Sequence, residues 1–425
     1  MASSSGTVNS SSAMQSSGTS VRRKLSPTII GHYSMTGEDQ AFDGRNCAKI
    51  DMSWVKASGK KYLKTRMDLN EVQLEDMKDD NNDSLKNLQQ WILENPECMS
   101  PKPHFVTTRR VMRYLLTSIY PQMDELLVIH ATKIGETIYM YHVASEKEEQ
   151  KDKSVSGKKR KNSERTEEDK RKDSSYGFKF ERCMEHGSKA STGNNGNKSY
   201  YVVVQAKLEL ERSSKPDHYT LLYKAEVDGM NKDFYTDDIK QHPNVAALIE
   251  LKTCQLKIDA GARDKKKKQT GKLNVDAKDK KKTGMPKFDA EKQYLKPYTM
   301  RNAWAQCWSV GIPSVVCGFR DKSGVVWCLR SFRVDDLPDL QKRNFNKIDF
   351  SPDEMENGLI KFLQWAKTEV KDDEVVYELT VTQPRLLDNF SVKQPPPDKD
   401  RFRSSRLSPA SQFLLLDFVQ EMRSN

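Results

Sequence analysis

The chain has 425 residues, 71 Lys and Arg against 60 Asp and Glu, and a formal net charge of +11. That length allows a large core and two or three domains of ordinary size. No apolar run reaches the ~18 residues a membrane helix needs, and the opening MASSSGTVNSSSAMQSSGTS lacks the apolar stretch of a secretory signal.

A mean hydropathy of −0.80 and 36% hydrophobic residues imply that much of the chain is solvated. The seven cysteines are scattered, odd in number and without a CxxC pair. That indicates neither a disulfide framework nor a cysteine zinc site and favours a reducing compartment, nucleus or cytoplasm. The basic balance points to a polyanionic partner.

Residues 1–28 read as a disordered tail, with nine Ser in the first twenty positions. Residues 29–390 read as one large domain of mixed α and β type, an α+β fold with a central mixed sheet flanked by helices. Helices are expected over 84–95 and 107–119, the second capped by Thr107 or Thr108. Strands fit 126–133 and 136–144. Residues 146–173 hold 20 charged residues in 28 and read as a disordered insertion of net charge +2.

A helix fits GFKFERCM (177–184). Strand patterns follow at 200–211, 218–228 and 244–252. Residues 259–287 read as a second disordered insertion. Within it, 263–287 carries 11 basic and three acidic residues, or +8. A helix over about 298–308 precedes two strands joined by the turn Asp321–Gly324. A helix at 352–368 and a strand at 374–384 follow, and 391–425 reads as a divergent segment ending in a helix near 409–422.

The chemistry concentrates in two strand ends. In Glu226-Val227-Asp228, strand periodicity puts both carboxylates on one face. In Glu250-Leu251-Lys252, the carboxylate and the ammonium share a face. If the two strands pair, three carboxylates and one lysine converge. Such oxygen density suits Mg²⁺ or Mn²⁺, and two such ions can activate water for attack at phosphorus. Lys252 would then orient or deprotonate the water, or stabilise developing charge. An acid followed by a (D/E)xK tripeptide is also a signature of a large nuclease superfamily. The bland alternative is a pair of solvated strand ends. Glu181 lies four residues after Gly177 on one helical face, and an exposed glutamate on an ordinary amphipathic helix is its plain alternative. Gln306 lies off the apolar stripe Met300, Trp304, Cys307, Trp308, toward Asn302, where plain surface is the alternative.

Four segments in order, GFKFE, AEVD, IELKT and WAQCWSVGIPSVVCGFRDKSG, resemble the DXO-type decapping exoribonuclease family. The likeness runs from IIGHYSMTGEDQAF at residue 29 to about residue 385. It implies that Glu181, Glu226, Asp228 and Glu250 bind two metal ions, Mg²⁺ or Mn²⁺, with the Leu251 carbonyl as a further ligand. It also implies catalytic roles for Glu226, Asp228, Lys252 and Gln306. Lys252 and Gln306 would additionally contact substrate near the scissile phosphate, and Arg109 would line the 5′-end pocket, although a one-residue slip would substitute Arg110.

The implied activity is hydrolysis at RNA 5′ ends. The substrates would be incomplete or unconventional caps including NAD caps, 5′-triphosphate ends, and 5′-monophosphate RNA degraded from 5′ to 3′. A larger 5′–3′ exoribonuclease is the implied protein partner. The competing reading is a non-catalytic RNA-binding or partner protein that keeps the fold; retention of the Glu226, Asp228, Glu250, Lys252 set argues against it. Glu250 and Gln306 stand 56 residues apart, about twice the family spacing, so the +8 segment reads as an insertion. It would contact RNA phosphates, serve as an import signal with KKRK (158–161), or simply solubilise the chain.

Overall fold

The computed structural model describes residues 23–37, 39–58, 67–72, 85–120, 127–143, 167–186, 198–210, 217–234, 243–257, 288–345, 351–382, 390–393 and 414–424. The Lys-rich 263–287 segment and the KKRK run lie outside them. The strands divide between two mixed sheets. The first runs β15 (Phe390–Lys393), β14 (Tyr377–Val381), β6 (Leu127–Ile134), β7 (Thr137–Val143), β5 (Phe105–Thr108), β9 (Asp217–Glu226), β8 (Lys198–Leu210), β1 (Leu25–Thr36), β2 (Asp39–Ala41). The second runs β3 (Lys49–Ile50), β10 (Gly229–Asn231), β11 (Leu248–Gln255), β12 (Ser314–Arg320), β13 (Val325–Arg333), β4 (Met67–Asp68).

The helices are α1 (Ser53–Ser58), α2 (Lys86–Glu94), α3 (Arg109–Thr117), α4 (Glu167–His186), α5 (Pro297–Val310), α6 (Leu337–Phe345), α7 (Pro352–Glu369) and α8 (Leu416–Ser424). Strand alternation decides what each sheet buries. On β8, Val202, Val204, Ala206 and Leu208 face a core shared by both sheets with α3, α5 and α7. Val203 on β8 and Leu222 on β9 face the opposite side, under α2 and α8. The outer face of the second sheet, including Ile249, Leu251 and Val316, is covered by α4. On that helix Tyr176, Phe180, Cys183 and Met184 recur at helical spacing and are all buried.

The mixed α+β class stands as read, but the strands form two sheets where one was expected. β9 and β11 therefore do not pair: they belong to different sheets. The chain instead crosses from β9 to β10 through Val227 and Asp228, and it is β10 that pairs with β11, Gly229 opposite Ile249. Glu250 and Lys252 sit within β11, which continues to Gln255, and do not end it. The tail assigned to 1–28 is too long, because β1 starts at Leu25. Its start is tied down by the buried Glu356 of α7, whose carboxylate accepts from the backbone N–H of Lys24 at 3.2 Å and of Leu25 at 3.1 Å. The 146–173 insertion also overlaps structure, since α4 begins at Glu167. The terminal helix exists, as α8, seven residues later in its start than expected.

Candidate active site

Three chain segments meet where β9 crosses into the second sheet. The first is the crossing itself, with Glu226 exposed at the end of β9 and Asp228 half-buried beyond it. The second is β11. Leu248 and Cys254 of this strand belong to the inter-sheet core, so Glu250 and Lys252, in the same alternation, point inward with them. The third is the start of α3. β5 runs parallel to β9 with Thr108 opposite Lys224, so the first helical residue, Arg109, arrives beside the crossing. Thr108 caps this helix, its hydroxyl accepting from the Val111 N–H.

Glu250 is fully buried, and both its oxygens are engaged. Oε2 pairs with the Arg109 guanidinium at 2.9 Å, and Oε1 accepts from Lys252 Nζ. Lys252 Nζ also stands 3.9 Å from Asp228 Oδ2. That same Asp228 oxygen accepts the Leu251 backbone N–H at 2.7 Å. Leu251 thus contributes its N–H to the site, while its side chain packs with Phe180 under α4.

The charges explain how each group titrates. Burial would raise the Glu250 carboxyl, but Lys252 and Arg109 outweigh it and hold the group below its ordinary value. Asp228 receives less of that compensation. Burial and the nearby Glu250 push it up to about 7. Glu181 on α4 is raised well above the ordinary range, by burial and then by Asp228. Lys252 and Arg109 are both raised: burial opposes this, and Glu250 and Asp228 override burial.

Glu226 adds its charge to both Arg109 and Glu181. Four carboxylates therefore face two protein cations, leaving two negative charges unmatched when all are ionised. A divalent cation answers that deficit, so the donor set fits one. Among the described residues, however, no three His, Cys, Asp or Glu side chains stand close enough to share an ion. Arg109 and Lys252 occupy both Glu250 oxygens, which a metal would take.

Two sequence expectations are refined here. Arg109 reaches the acids through Glu250. The imidazole of His142 on β7 is pushed down to about 4 by burial and then by the charges of Arg110 and Arg113. Arg109 was expected in a 5′-end pocket, and in the structure its partner is Glu250. Gln306 is half-buried on α5, and its neighbour Cys307 feels the Glu250 charge. Plain surface does not describe this helix, since Asn302, one turn away, is buried. α5 is held by a contact the sequence did not signal: Trp308 Nε1 donates to Glu356 at 2.7 Å. A buried acid in the middle of α7 breaks that helix's apolar stripe, and this was the available clue.

An acid, a second acid pair and a (D/E)xK tripeptide gathered where the chain crosses between two mixed sheets define a nuclease of the metal-dependent (D/E)xK class. A family profile described as RAI1 like PD-(D/E)XK nuclease matches residues 25–406, and the chain belongs to that family. A stretch of 97 residues is 28% identical to the decapping nuclease Din1 of Schizosaccharomyces pombe, covering 22% of this chain and 28% of that protein. In fold, the chain is similar to Candida albicans Rai1 in complex with pU5 and Mn²⁺, with a TM-score of 0.65 and 15% identity, over 95% of this chain and 97% of that one. It is also similar to Scheffersomyces stipitis Rai1 in complex with (3′-NADP)⁺ and calcium, with a TM-score of 0.61 and 16% identity, over 95% and 96%.

Proposed function

We propose that this chain is a divalent-metal-dependent hydrolase of RNA 5′ ends. It removes incomplete or unconventional caps, NAD caps included, or 5′ pyrophosphate, and degrades 5′-monophosphate RNA from 5′ to 3′. The observation that carries this reading is the two-charge deficit of the Glu181, Glu226, Asp228, Glu250 cluster around Lys252, in a chain of a nuclease family. A 5′-phosphorylated oligonucleotide and a dinucleotide bound to proteins of this fold support the choice of substrate.

Glu181, Glu226, Asp228 and Glu250, with the Leu251 carbonyl, would hold two Mg²⁺ or Mn²⁺ ions. The ions would supply an activated water and charge stabilisation at phosphorus. The Lys252 ammonium, kept protonated by Glu250 and Asp228, is placed to donate to a phosphoryl oxygen or to orient the water. Gln306 would offer an uncharged amide to the substrate near the scissile phosphate. Arg109 offers a planar guanidinium suited to phosphate once it is released from Glu250.

The +8 segment supports a nuclear or cytoplasmic RNA-bound location, and a larger 5′–3′ exoribonuclease is the partner carried forward from the resemblance. The test is a panel of 5′-monophosphate, 5′-triphosphate, unmethylated-cap and NAD-capped RNAs, incubated with the purified chain in Mg²⁺ or Mn²⁺. Release of 5′ products from at least one is expected. No product from any would overturn the reading.

A further inference from the structure

The turn of α4 before Glu181 carries two residues that neither helix preference nor packing explains. Gly177 lies inside the helix, where glycine is among the least favourable residues. A Cβ built there would meet nothing within 4 Å among the described residues, so none of them requires the glycine. Gly318 on β12 behaves differently: its missing side chain is the space filled by the Phe180 ring, 2.6 Å from where a Cβ would stand. Phe178, next to Gly177, is 46% exposed, one of four large hydrophobic side chains exposed among the described residues.

Helix register places both residues. Tyr176, Phe180, Cys183 and Met184 turn inward to the second sheet. Gly177 and Phe178 stand four and three positions before Glu181, so they lie one turn away on the same side of the helix. Helical side chains lean toward the N-terminus, so both side chains tilt the same way and the exposed Phe178 ring stays about one turn from the Glu181 carboxylate. The result is a shelf with bare backbone at Gly177 and an aromatic face at Phe178, one turn from a carboxylate of the acidic cluster. Local rule-breaking of this kind concentrates where a chain meets a ligand. A flat ring joined to a phosphate is a ligand that could meet an aromatic face and a carboxylate set one helical turn apart.

We propose that the Gly177–Phe178 shelf seats a nucleobase beside the scissile phosphate, with the Phe178 ring stacked on it. This deepens, and rests on, the 5′-end hydrolase reading. Stacking of this kind is tolerant of base identity, because every base has a π face. The shelf would therefore raise affinity for RNA without selecting a sequence.

The experiment uses the full chain and 5′-monophosphate RNA oligomers with 2-aminopurine at the first or second position. Binding is measured in EDTA and hydrolysis in Mg²⁺. With one of the two probes, emission in the bound state is expected to be lower for the wild type than for Phe178→Leu. That variant should also bind roughly 10-fold more weakly, with the loss carried by KM, and Phe178→Trp should restore binding. Gly177→Ala should melt at a higher temperature yet bind RNA several-fold more weakly, whereas a purely structural glycine would give the first effect alone. Equal emission and affinity in the wild type and Phe178→Leu would overturn the shelf while leaving the hydrolase reading intact. A wild-type chain that hydrolyses none of the 5′-end substrates would remove both.

Discussion

Glu250 is the residue on which the site's electrostatics turn, because it holds both protein cations at once. Breaking a buried pair from one side costs about 3–5 kcal/mol when the survivor is left unpaired. Arg109→Met leaves Lys252 in place, so a loss at the low end is expected, read as a lower melting temperature in EDTA that Mn²⁺ partly restores. An unchanged melting temperature would contradict the pairing. Asp228 sets a pH signature. Its carboxyl moves from 3.8 up to about 7, so between those values the metal-free fold keeps a proton that the unfolded chain releases. Stability from this group is therefore full at low pH and falls as pH rises through that window. Glu181 acts in the same direction, while Glu250, being lowered, loses its contribution only in more acidic solution. The metal-free wild type should lose stability between about pH 4 and pH 7, and Asp228→Asn should flatten that loss. Identical pH profiles in EDTA would contradict the assignment. Glu226, Asp228 and Glu250 were legible in the sequence because carboxylates beside apolar strand runs are conspicuous, whereas Glu181, on a helix, was singled out by the GFKFE resemblance. The Arg109–Glu250 pair was not, because 141 residues separate its members.

At the scale of elements, α4 and β12 set the position of Glu181. The Phe180 ring fits only because residue 318 has no side chain. Gly318→Ala would drive a Cβ into that ring, lifting α4 and Glu181 from the other acids. Overpacking typically costs about 1–3 kcal/mol, and the variant should both melt earlier and bind Mn²⁺ more weakly. Phe180→Leu in the same chain should recover part of each loss. Normal metal affinity in Gly318→Ala would show that α4 does not position the site. α8 is a second case. Phe418 is fully buried and meets Tyr139 edge-on at 5.5 Å, and Gln89 Oε1 accepts the Leu415 N–H at 2.7 Å. Phe418→Ala should cost about 3–5 kcal/mol, visible in denaturant melts, whereas a loosely attached helix would show almost none. Most of the strands and helices were legible from periodicity. Their assignment to two sheets was not. β9 and β11 are both apolar and joined by a turn-rich stretch, which reads as a hairpin. Only the placement of the short β10 reveals the crossing, and three residues give no periodic signal.

Over the whole molecule, the charge separates from the catalytic body. The +2 and +8 segments account for all but about +1 of the net +11, so the remainder is nearly neutral and carries an acidic centre. Deleting 263–287 should flatten the salt dependence of RNA binding, by roughly 0.7 of a log–log unit for each single-strand phosphate it neutralises. An unchanged slope would make the segment a solubilising insertion. The central claim is that the carboxylates at the crossing between the two sheets hold the ions that hydrolyse RNA 5′ ends. The most direct measurement compares the wild type with Glu226→Gln/Asp228→Asn, pairing calorimetric Mn²⁺ titration with 5′-end hydrolysis and checking both proteins for the same far-UV circular dichroism. The wild type should bind Mn²⁺ and release 5′ products, and the folded double variant should do neither. A double variant that binds Mn²⁺ and hydrolyses RNA like the wild type would contradict the account.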